Sequence, residues 1–152
     1  MENVILMLGG NLGNVRSSFD FAVQELCRNG FVLQARSGAE RSAAVDCVPD
    51  TPDFLDEAVM GFWGGSPEEL LKVTQNIEEL AGRPRQHSSR ESRKLDIDII
   101  LFGSRVLDTP ELIIPHPRAA QRHFVLNCLR KIAPDSVFPD CGKSVMELFG
   151  ML

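Results

Sequence analysis

Hydrophobic residues in this chain follow two different periods, and few folds accept the order in which those periods alternate. Strand-like runs occupy residues 3–8, 31–37, 54–63 and 95–102. A helical repeat lies between the first two runs, and another lies between the last two. The order β-α-β-β-α-β is that of a ferredoxin-like split arrangement, with an antiparallel sheet and helices on one of its faces. The sequence therefore predicts an α+β fold.

The second helical repeat, SPEELLKVTQNIEELAG, has the clearest boundaries. Ser66 is placed to cap the helix, Pro67 occupies the first turn, Glu69 completes a capping box, and Gly82 follows the last turn. Its spacing predicts a core-facing stripe made of Leu70, Val73, Ile77 and Leu80. A neighbouring stripe, suited to line a cleft, contains Leu71, Gln75 and Glu78.

Size, charge and cysteine pattern exclude several classes of protein. With 152 residues, 43% of them hydrophobic, the chain suits one domain spanning residues 1–152. It offers no membrane-length apolar run and no export signal, and its four cysteines form no C-x-x-C pair, so a cytoplasmic protein is expected. A net charge of -5 argues against a general nucleic-acid binder.

Local charge differs from the overall balance in the segment RPRQHSSRESRK, residues 83–94. Five cationic side chains stand there against the single acid Glu91. A solvated basic loop is one interpretation, because most charge runs are only that. A site for a compact anion, such as a nucleotide phosphate, is the other.

The segment RKLDIDIILFG, residues 93–103, places two aspartates in an apolar strand. Since strand side chains alternate, Asp96 and Asp98 are predicted to share one face, with Cα atoms roughly 6.5 to 7 Å apart. A solvated outer face would explain them. A divalent cation between them would also relieve their mutual repulsion, and Mg²⁺ commonly takes one or two carboxylates together with substrate phosphates.

The order and spacing of four segments, GGNLGN, IEELAGRPR, RKLDIDIILFG and IIPHPRAAQRHFVLNCL, closely resemble the hydroxymethyldihydropterin pyrophosphokinases of folate biosynthesis. The resemblance covers nearly the whole chain and implies the same ferredoxin-like α+β fold. It also implies a reaction in which the 6-hydroxymethyl oxygen of a dihydropterin attacks the β-phosphorus of ATP. The diphosphate moves to the pterin and AMP leaves.

The resemblance also implies roles for individual residues. Asp96 and Asp98 would hold two Mg²⁺ ions, and Asp96 would assist departure of the hydroxyl proton. Arg83 and Arg93 match arginines of a mobile catalytic loop. The positions that match ATP-binding residues are Arg85, His116 and Arg122 for the phosphates, and Leu71, Gln75, Glu78 and Ile99 for adenosine.

For the pterin, Phe54 and Phe124 match the two aromatic rings that enclose the heterocycle. The loop that contacts its polar edge corresponds to Ser42, Ala43 and Val45. The implied partners are the small molecules ATP and hydroxymethyldihydropterin, without nucleic acid or membrane, and a monomer is expected.

The chain departs from the family pattern around the pterin rather than around the phosphates. Asp56 stands where Asn is usual, so a group that donates and accepts becomes acceptor-only when ionised. Ser42-Ala43 and Asp46 replace a usual Thr-Pro and Gly, Arg90 replaces a common Trp, and Gly10 a common Ser. Three interpretations stay open: an active pyrophosphokinase, an ATP-binding relative with lost or altered pterin activity, and an unrelated metal-dependent nucleotidyltransferase.

Overall fold

The computed structural model describes residues 1–43, 52–82 and 94–152. The strands are β1 (Glu2–Gly10), β2 (Val32–Arg36), β3 (Glu40–Ser42), β4 (Phe54–Trp63), β5 (Asp96–Phe102), β6 (Leu107–Asp108), β7 (Ile113–Ile114), β8 (Val137–Phe138) and β9 (Lys143–Ser144). The helices are α1 (Val15–Arg28), α2 (Pro67–Leu80), α3 (His123–Ile132) and α4 (Val145–Gly150), with a 3-10 turn at Ala119–Gln121. None of the helices within these ranges is long and apolar enough to cross a membrane.

The main sheet has the strand order β2-β4-β1-β5, and β3 adds a further pairing with β4. Every pairing in it is antiparallel. Strand β4 lies between β1 and β2, and β1 lies between β4 and β5, which is the split arrangement that the order of elements predicts. The predicted α+β fold is therefore confirmed. Strand β3 lies between the strand-like runs 31–37 and 54–63 and was not predicted from the sequence.

Both faces of the sheet are covered by helices. Leu6 and Leu8 of β1 belong to a core with α1 and α2, whereas Ile5 and Met7 belong to a second core with α3 and α4. The prediction of helices on one face holds for α1 and α2, but the C-terminal helices pack on the opposite face. Consecutive residues of β1 are buried because both of its faces carry a helical layer.

Strand β5 contains an irregularity that the sequence does not reveal. Leu6 pairs with Ile99, but Ile5 pairs with Leu101, so Ile100 is an extra residue in the ladder. Strict alternation along the predicted strand 95–102 would place Leu101 on the face of Ile99, and this expectation is wrong, because the extra residue moves Leu101 to the α3 and α4 side. Upstream of it, the predicted alternation is retained.

Helix α2 begins as predicted. The Glu69 backbone N–H donates to Ser66 Oγ at 3.1 Å, and the Ser66 N–H donates to Glu69 Oε1 at 2.9 Å. The predicted core stripe needs one correction, because Leu80 is 58% exposed while Thr74 is 1% exposed. Thr74 can be buried because its hydroxyl donates to the Leu71 carbonyl at 2.8 Å.

Candidate active site

Carboxylates from two strands flank a glycine of the central strand. Gly9 of β1 pairs with Asp56 of β4 on one side and with Asp96 of β5 on the other. In the next inward-facing row, Met7 pairs with Ala58 and with Asp98. Directly paired residues share a face, and Met7 and Ala58 lie in the core beneath α3 and α4. Asp56, Asp96 and Asp98 therefore all project from the α3 and α4 face, at the end of the sheet where β1 finishes.

The end of β1 differs from its prediction. The strand-like run of the sequence ends at residue 8, and the glycine pair that follows it is typical of a turn, but Gly9 and Gly10 are the last residues of the strand. The chain turns after them, where Gly13 adopts a φ of 69°. The Asn11 side chain then donates to the Pro52 carbonyl at 3.0 Å, which ties this turn to the start of β4.

Asp56 is a buried carboxyl group, with 7% of its surface exposed. Burial raises its pKa to about 6, and the negative charge of Asp96 contributes in the same direction. The Ser42 hydroxyl, which donates to Asp56 Oδ2 at 2.6 Å, and the positive charge of Arg122 both oppose this shift. Asp56 is therefore ionised at neutral pH, but at a cost in desolvation.

The segment between β7 and α3 brings a histidine to the same face. The His116 N–H donates to the Ile100 carbonyl at 3.0 Å, and the Arg118 N–H donates to His116 Nδ1 at 3.3 Å. Burial lowers the pKa of His116, and the charges of Arg122 and Arg118 lower it further against the effect of Asp96. The imidazole is therefore neutral at pH 7, with its proton on Nε2, because Nδ1 accepts a hydrogen bond.

Arg122 and Phe124 extend this side of the site. The Arg122 guanidinium carbon lies 5.7 Å from the centre of the Phe124 ring. The charge of Arg122 acts on both Asp56 and His116, so these groups lie within electrostatic range of one another. The sequence-predicted Arg122 and His116 are thus brought to the carboxylates.

Of the residues predicted to contact the pterin, those in the described ranges lie on or next to the strand and helix segments around Asp56. Phe54 is half-buried and lies two residues before Asp56 on β4, so it projects from the same face. Ser42 pairs with Phe54 across the β3–β4 ladder, and Phe124 is a half-buried residue of α3, which covers this face. Ala43, the next residue, is exposed.

The residues predicted to contact adenosine lie on the α2 side of β5. Leu71 is half-buried, Gln75 is exposed and Ile99 is buried in the core beneath α2. Glu78 accepts a hydrogen bond at Oε2 from the Ile97 N–H, at 2.7 Å. These residues and the carboxylates of Asp96 and Asp98 lie on opposite faces of the sheet. A ligand that contacts both groups must therefore pass over the edge strand β5.

Several predicted site residues lie outside the described ranges. They are the cationic residues Arg83, Arg85, Arg90 and Arg93, and the pterin-loop residues Val45 and Asp46. Their implied roles stay predictions.

Two features of the site were not found by sequence reasoning. The position of Gly9 between two carboxylates follows from strand register, although a glycine inside a strand pattern is itself a signal of close approach. The hydrogen bond from Ile97 to Glu78 fixes the residue between the two aspartates to α2. No sequence signal predicts that contact.

The donor set fits magnesium better than a metal enclosed by protein ligands. Across the described ranges, no three His, Cys, Asp or Glu side chains are grouped as ligands for one metal ion. Mg²⁺ does not need such a group, since it retains waters and binds one or two carboxylates together with phosphates. Asp96 and Asp98, on one strand face, meet that requirement.

Comparison with known proteins decides the family. The sequence profile of 7,8-dihydro-6-hydroxymethylpterin-pyrophosphokinase (HPPK) matches residues 5–134. The chain belongs to the HPPK family. A 2-amino-4-hydroxy-6-hydroxymethyldihydropteridine pyrophosphokinase of Synechocystis sp. is 38% identical over 148 residues, which are 97% of this chain and 74% of that protein. The Bacillus subtilis protein of the same name is 34% identical over 133 residues, 87% of this chain and 79% of that one.

Longer proteins contain a comparable segment. The mitochondrial folate synthesis bifunctional protein of Arabidopsis thaliana is 37% identical over 125 residues, which are 82% of this chain but 22% of that protein. The crystal structure of Plasmodium falciparum HPPK-DHPS with pteroate superposes with a TM-score of 0.75 at 13% identity, covering 99% of this chain and 44% of that one. At that identity the superposition supports the HPPK fold.

Proposed function

We propose that this HPPK family member transfers the diphosphate of ATP to the 6-hydroxymethyl group of 7,8-dihydropterin and releases AMP. The observation that carries the proposal is the convergence of Asp56, Asp96 and Asp98 with Arg122 on one face of the sheet. The family membership supplies the substrates. In this arrangement Asp56 is a buried hydrogen-bond acceptor for a heterocycle, and Asp96 and Asp98 form a separate pair of carboxylates suited to a metal.

The bond changes are those of a single displacement. A bond forms between the hydroxymethyl oxygen and the β-phosphorus, and the bond from that phosphorus to the α,β-bridging oxygen breaks. AMP leaves with the bridging oxygen, and Asp96 receives or relays the hydroxyl proton. Phosphoryl transfer of this kind depends mainly on positioning and on charge stabilisation.

Asp96 and Asp98 would hold two Mg²⁺ ions. The bound ions would neutralise phosphate charge and orient the β-phosphate. Their two carboxylates lie on alternate residues of a strand whose edge is bonded to α2 through Glu78 and Ile97. That bond restricts movement of the strand segment that carries both ligands.

The cationic and imidazole groups would bind the phosphates. His116 carries its proton on Nε2 and is neutral, so it donates a hydrogen bond without adding a charge. Arg122 presents a guanidinium, whose planar donors suit phosphate oxygens. Arg85 would add a further phosphate contact, and Arg83 and Arg93 would stabilise the charge that develops on departing AMP.

Asp56 would recognise the donor edge of the pterin. Its ionised carboxylate accepts from the amino group and the neighbouring ring N–H, and the Ser42 hydroxyl holds one of its oxygens at 2.6 Å. Phe54 and Phe124 would enclose the flat ring, and Ala43 and Val45 would contact its edge through the backbone. Leu71, Gln75, Glu78 and Ile99 would line the adenosine pocket, with one Glu78 oxygen shared with the Ile97 N–H.

The test is turnover with purified protein, magnesium, ATP and 6-hydroxymethyl-7,8-dihydropterin, followed by chromatography. Equal amounts of AMP and pterin diphosphate are expected, and neither should form when the pterin or magnesium is omitted. ATP binding without pterin-dependent AMP would favour the altered relative. AMP attached to the pterin would show a nucleotidyltransferase.

A pair of matched variants tests the metal assignment. Asp98→Asn removes a charge from the predicted magnesium site, while Asp108→Asn makes the same change at an exposed position of β6. Asp98→Asn should lose magnesium-dependent turnover while keeping its unfolding midpoint within a few degrees of the control. Full activity in Asp98→Asn would contradict the assignment.

A further inference from the structure

An ion pair joins helix α3 to β3, the strand that lies beside Asp56. Glu40 of β3 pairs directly with Asp56 across the β3–β4 ladder, so the two side chains share the α3 and α4 face of the sheet. Lys131, in the last turn of α3, forms a salt bridge with Glu40. Neither member of this pair has a role in the proposed reaction, although the pair lies next to the buried carboxylate.

Helix α3 is also bonded to the backbone of Asp56. The thiol of Cys128, which is fully buried, donates to the Asp56 carbonyl at 3.7 Å. Burial raises the pKa of this thiol to about 11, so it keeps its proton at neutral pH. Lys131 follows Cys128 by one turn, and residues at that spacing are neighbours on the helix surface. The helix therefore presents Lys131 to β3 from a position that is set by packing and a hydrogen bond beside Asp56.

The carboxylate of Asp56 is held from β3. Ser42 lies two residues after Glu40, so it projects from the same face, and its hydroxyl donates to Asp56 Oδ2 at 2.6 Å. Strand β3 has three residues, and within the described ranges it pairs only with β4. A strand this short has few ladder hydrogen bonds to fix its position, so the contact with Lys131 is an additional restraint. The contacts thus form a closed path from the Asp56 backbone through α3 and β3 to the Asp56 carboxylate.

Position, rather than strength, distinguishes this ion pair. The side chains of Lys131 and Glu40 are 33% and 36% exposed, and partly exposed ion pairs contribute little to overall stability. Arg105 and Glu2 form a comparable pair at 2.9 Å, with side chains 52% and 36% exposed. Glu2 is the first residue of β1, whereas the end of β1 lies beside Asp56. The second pair is therefore a control that is remote from the site.

We propose that Lys131 and Glu40 are positioning residues, whose ion pair holds β3 against α3 and thereby keeps the Ser42 hydroxyl on the Asp56 carboxylate. The inference rests on the proposed function and deepens it, because Asp56 is assigned there to the donor edge of the pterin. Without the pair, β3 is less restrained and the hydrogen bond from Ser42 is lost more often. The carboxylate can then rotate away from the N–H groups that it would accept from.

The experiment reverses the charge of Lys131 and then restores an ion pair in the opposite order. Lys131→Glu brings two carboxylates together, and the double variant Lys131→Glu with Glu40→Lys returns the attraction. Lys131→Met removes the charge without adding another, and Arg105→Glu makes the reversal in the control pair. Thermal unfolding shows whether each variant is folded. The Kd for the dihydropterin, measured with a magnesium complex of a non-hydrolysable ATP analogue, is then compared with kcat and KM.

A loss of affinity with little loss of rate is expected. Lys131→Glu should raise the Kd and KM for the dihydropterin about threefold to fivefold and change kcat less than about twofold, since the pair acts on binding. Lys131→Met should have a smaller effect in the same direction. The double variant should recover most of the affinity, and Arg105→Glu should resemble wild type. In a Ser42→Ala background, Lys131→Glu should have little further effect, because both changes act on the same hydrogen bond.

The outcomes separate the positioning role from the proposed function. Unchanged pterin Kd and KM in folded Lys131→Glu would overturn the positioning role and leave the proposed function intact. A double variant that recovers no affinity would also overturn it, because the effect would then come from the charge at one position and not from the pair. The same loss in Arg105→Glu would show a general effect of surface charge and count equally against it. A wild-type protein that does not convert the pterin would refute the proposed function itself.

Discussion

Replacing Asp56 with Asn should change how the stability of the protein depends on pH. In the folded chain, burial raises the pKa of Asp56 from 3.8 to about 6. Between these values the folded chain holds a proton that the unfolded chain has released. The free energy of unfolding therefore falls as pH rises through this window, and it levels off above pH 6.

The size of the effect follows from the two pKa values of Asp56. At about 1.4 kcal/mol per pH unit, the interval from 3.8 to about 6 corresponds to about 3 kcal/mol. Asn has nearly the same shape and does not titrate, so the unfolding free energy of Asp56→Asn should not fall by this amount as pH rises. Relative to wild type, the variant should gain about 2 to 3 kcal/mol between pH 4 and pH 7.5.

Urea unfolding of both proteins, without metal and across this pH range, measures the difference directly. Other titrating groups are common to both chains, so most of their effect cancels when the two free energies are subtracted. A difference that stays constant from pH 4 to pH 7.5 would refute the claim that burial raises the pKa of Asp56. A difference that changes in the opposite direction would show that Ser42 and Arg122 outweigh desolvation.

Three further predictions concern α2 and the buried thiol. Glu78→Gln should weaken magnesium binding severalfold, because a neutral acceptor holds the Ile97 N–H less strongly. A titration of the protein with the metal measures this affinity, and an unchanged value would show that the hydrogen bond does not fix the strand. Leu70 is buried and Leu80 is exposed, so Leu70→Ala should cost about 2 to 5 kcal/mol of unfolding free energy and Leu80→Ala less than about 1 kcal/mol. Equal losses in urea unfolding would contradict this burial pattern. Burial raises the pKa of the Cys128 thiol to about 11, so this thiol should react with a disulfide reagent only on unfolding, and rapid reaction in the native protein would contradict its burial.

The order of strands and helices could be read from the sequence, but some positions within them could not. The run from Ile99 to Phe102 is wholly apolar and buried, so it has no alternation from which a change of face at Ile100 could be detected. A hydropathy pattern does not predict the burial of Thr74, because this burial depends on a local hydrogen bond of its hydroxyl. Both failures have the same origin: hydrophobicity reports which residues avoid water, not how their polar atoms or strand register are arranged.

The candidate site was predictable in a different way. Alternation alone placed Asp96 and Asp98 on one face, and the structure confirms this up to the irregularity at Ile100. The grouping of His116 and Arg122 with these carboxylates came from the family resemblance, since neither lies near them in sequence. The position of Gly9 between Asp56 and Asp96 can be seen only when the pairing on both sides of β1 is known.

The departure at Asp56 connects the stability of the fold to the proposed chemistry. An ionised carboxylate that is 7% exposed costs desolvation energy in the free protein, and a ligand with two adjacent N–H donors would compensate that cost. Such a ligand should bind the ionised form better, and its binding should lower the pKa of Asp56 and release a proton below pH 6. The thermal stabilisation by the dihydropterin, measured with a magnesium complex of an ATP analogue, should thus be greater at pH 7.5 than at pH 5. In Asp56→Asn that pH dependence should disappear, and its persistence would mean that a different group recognises the donor edge.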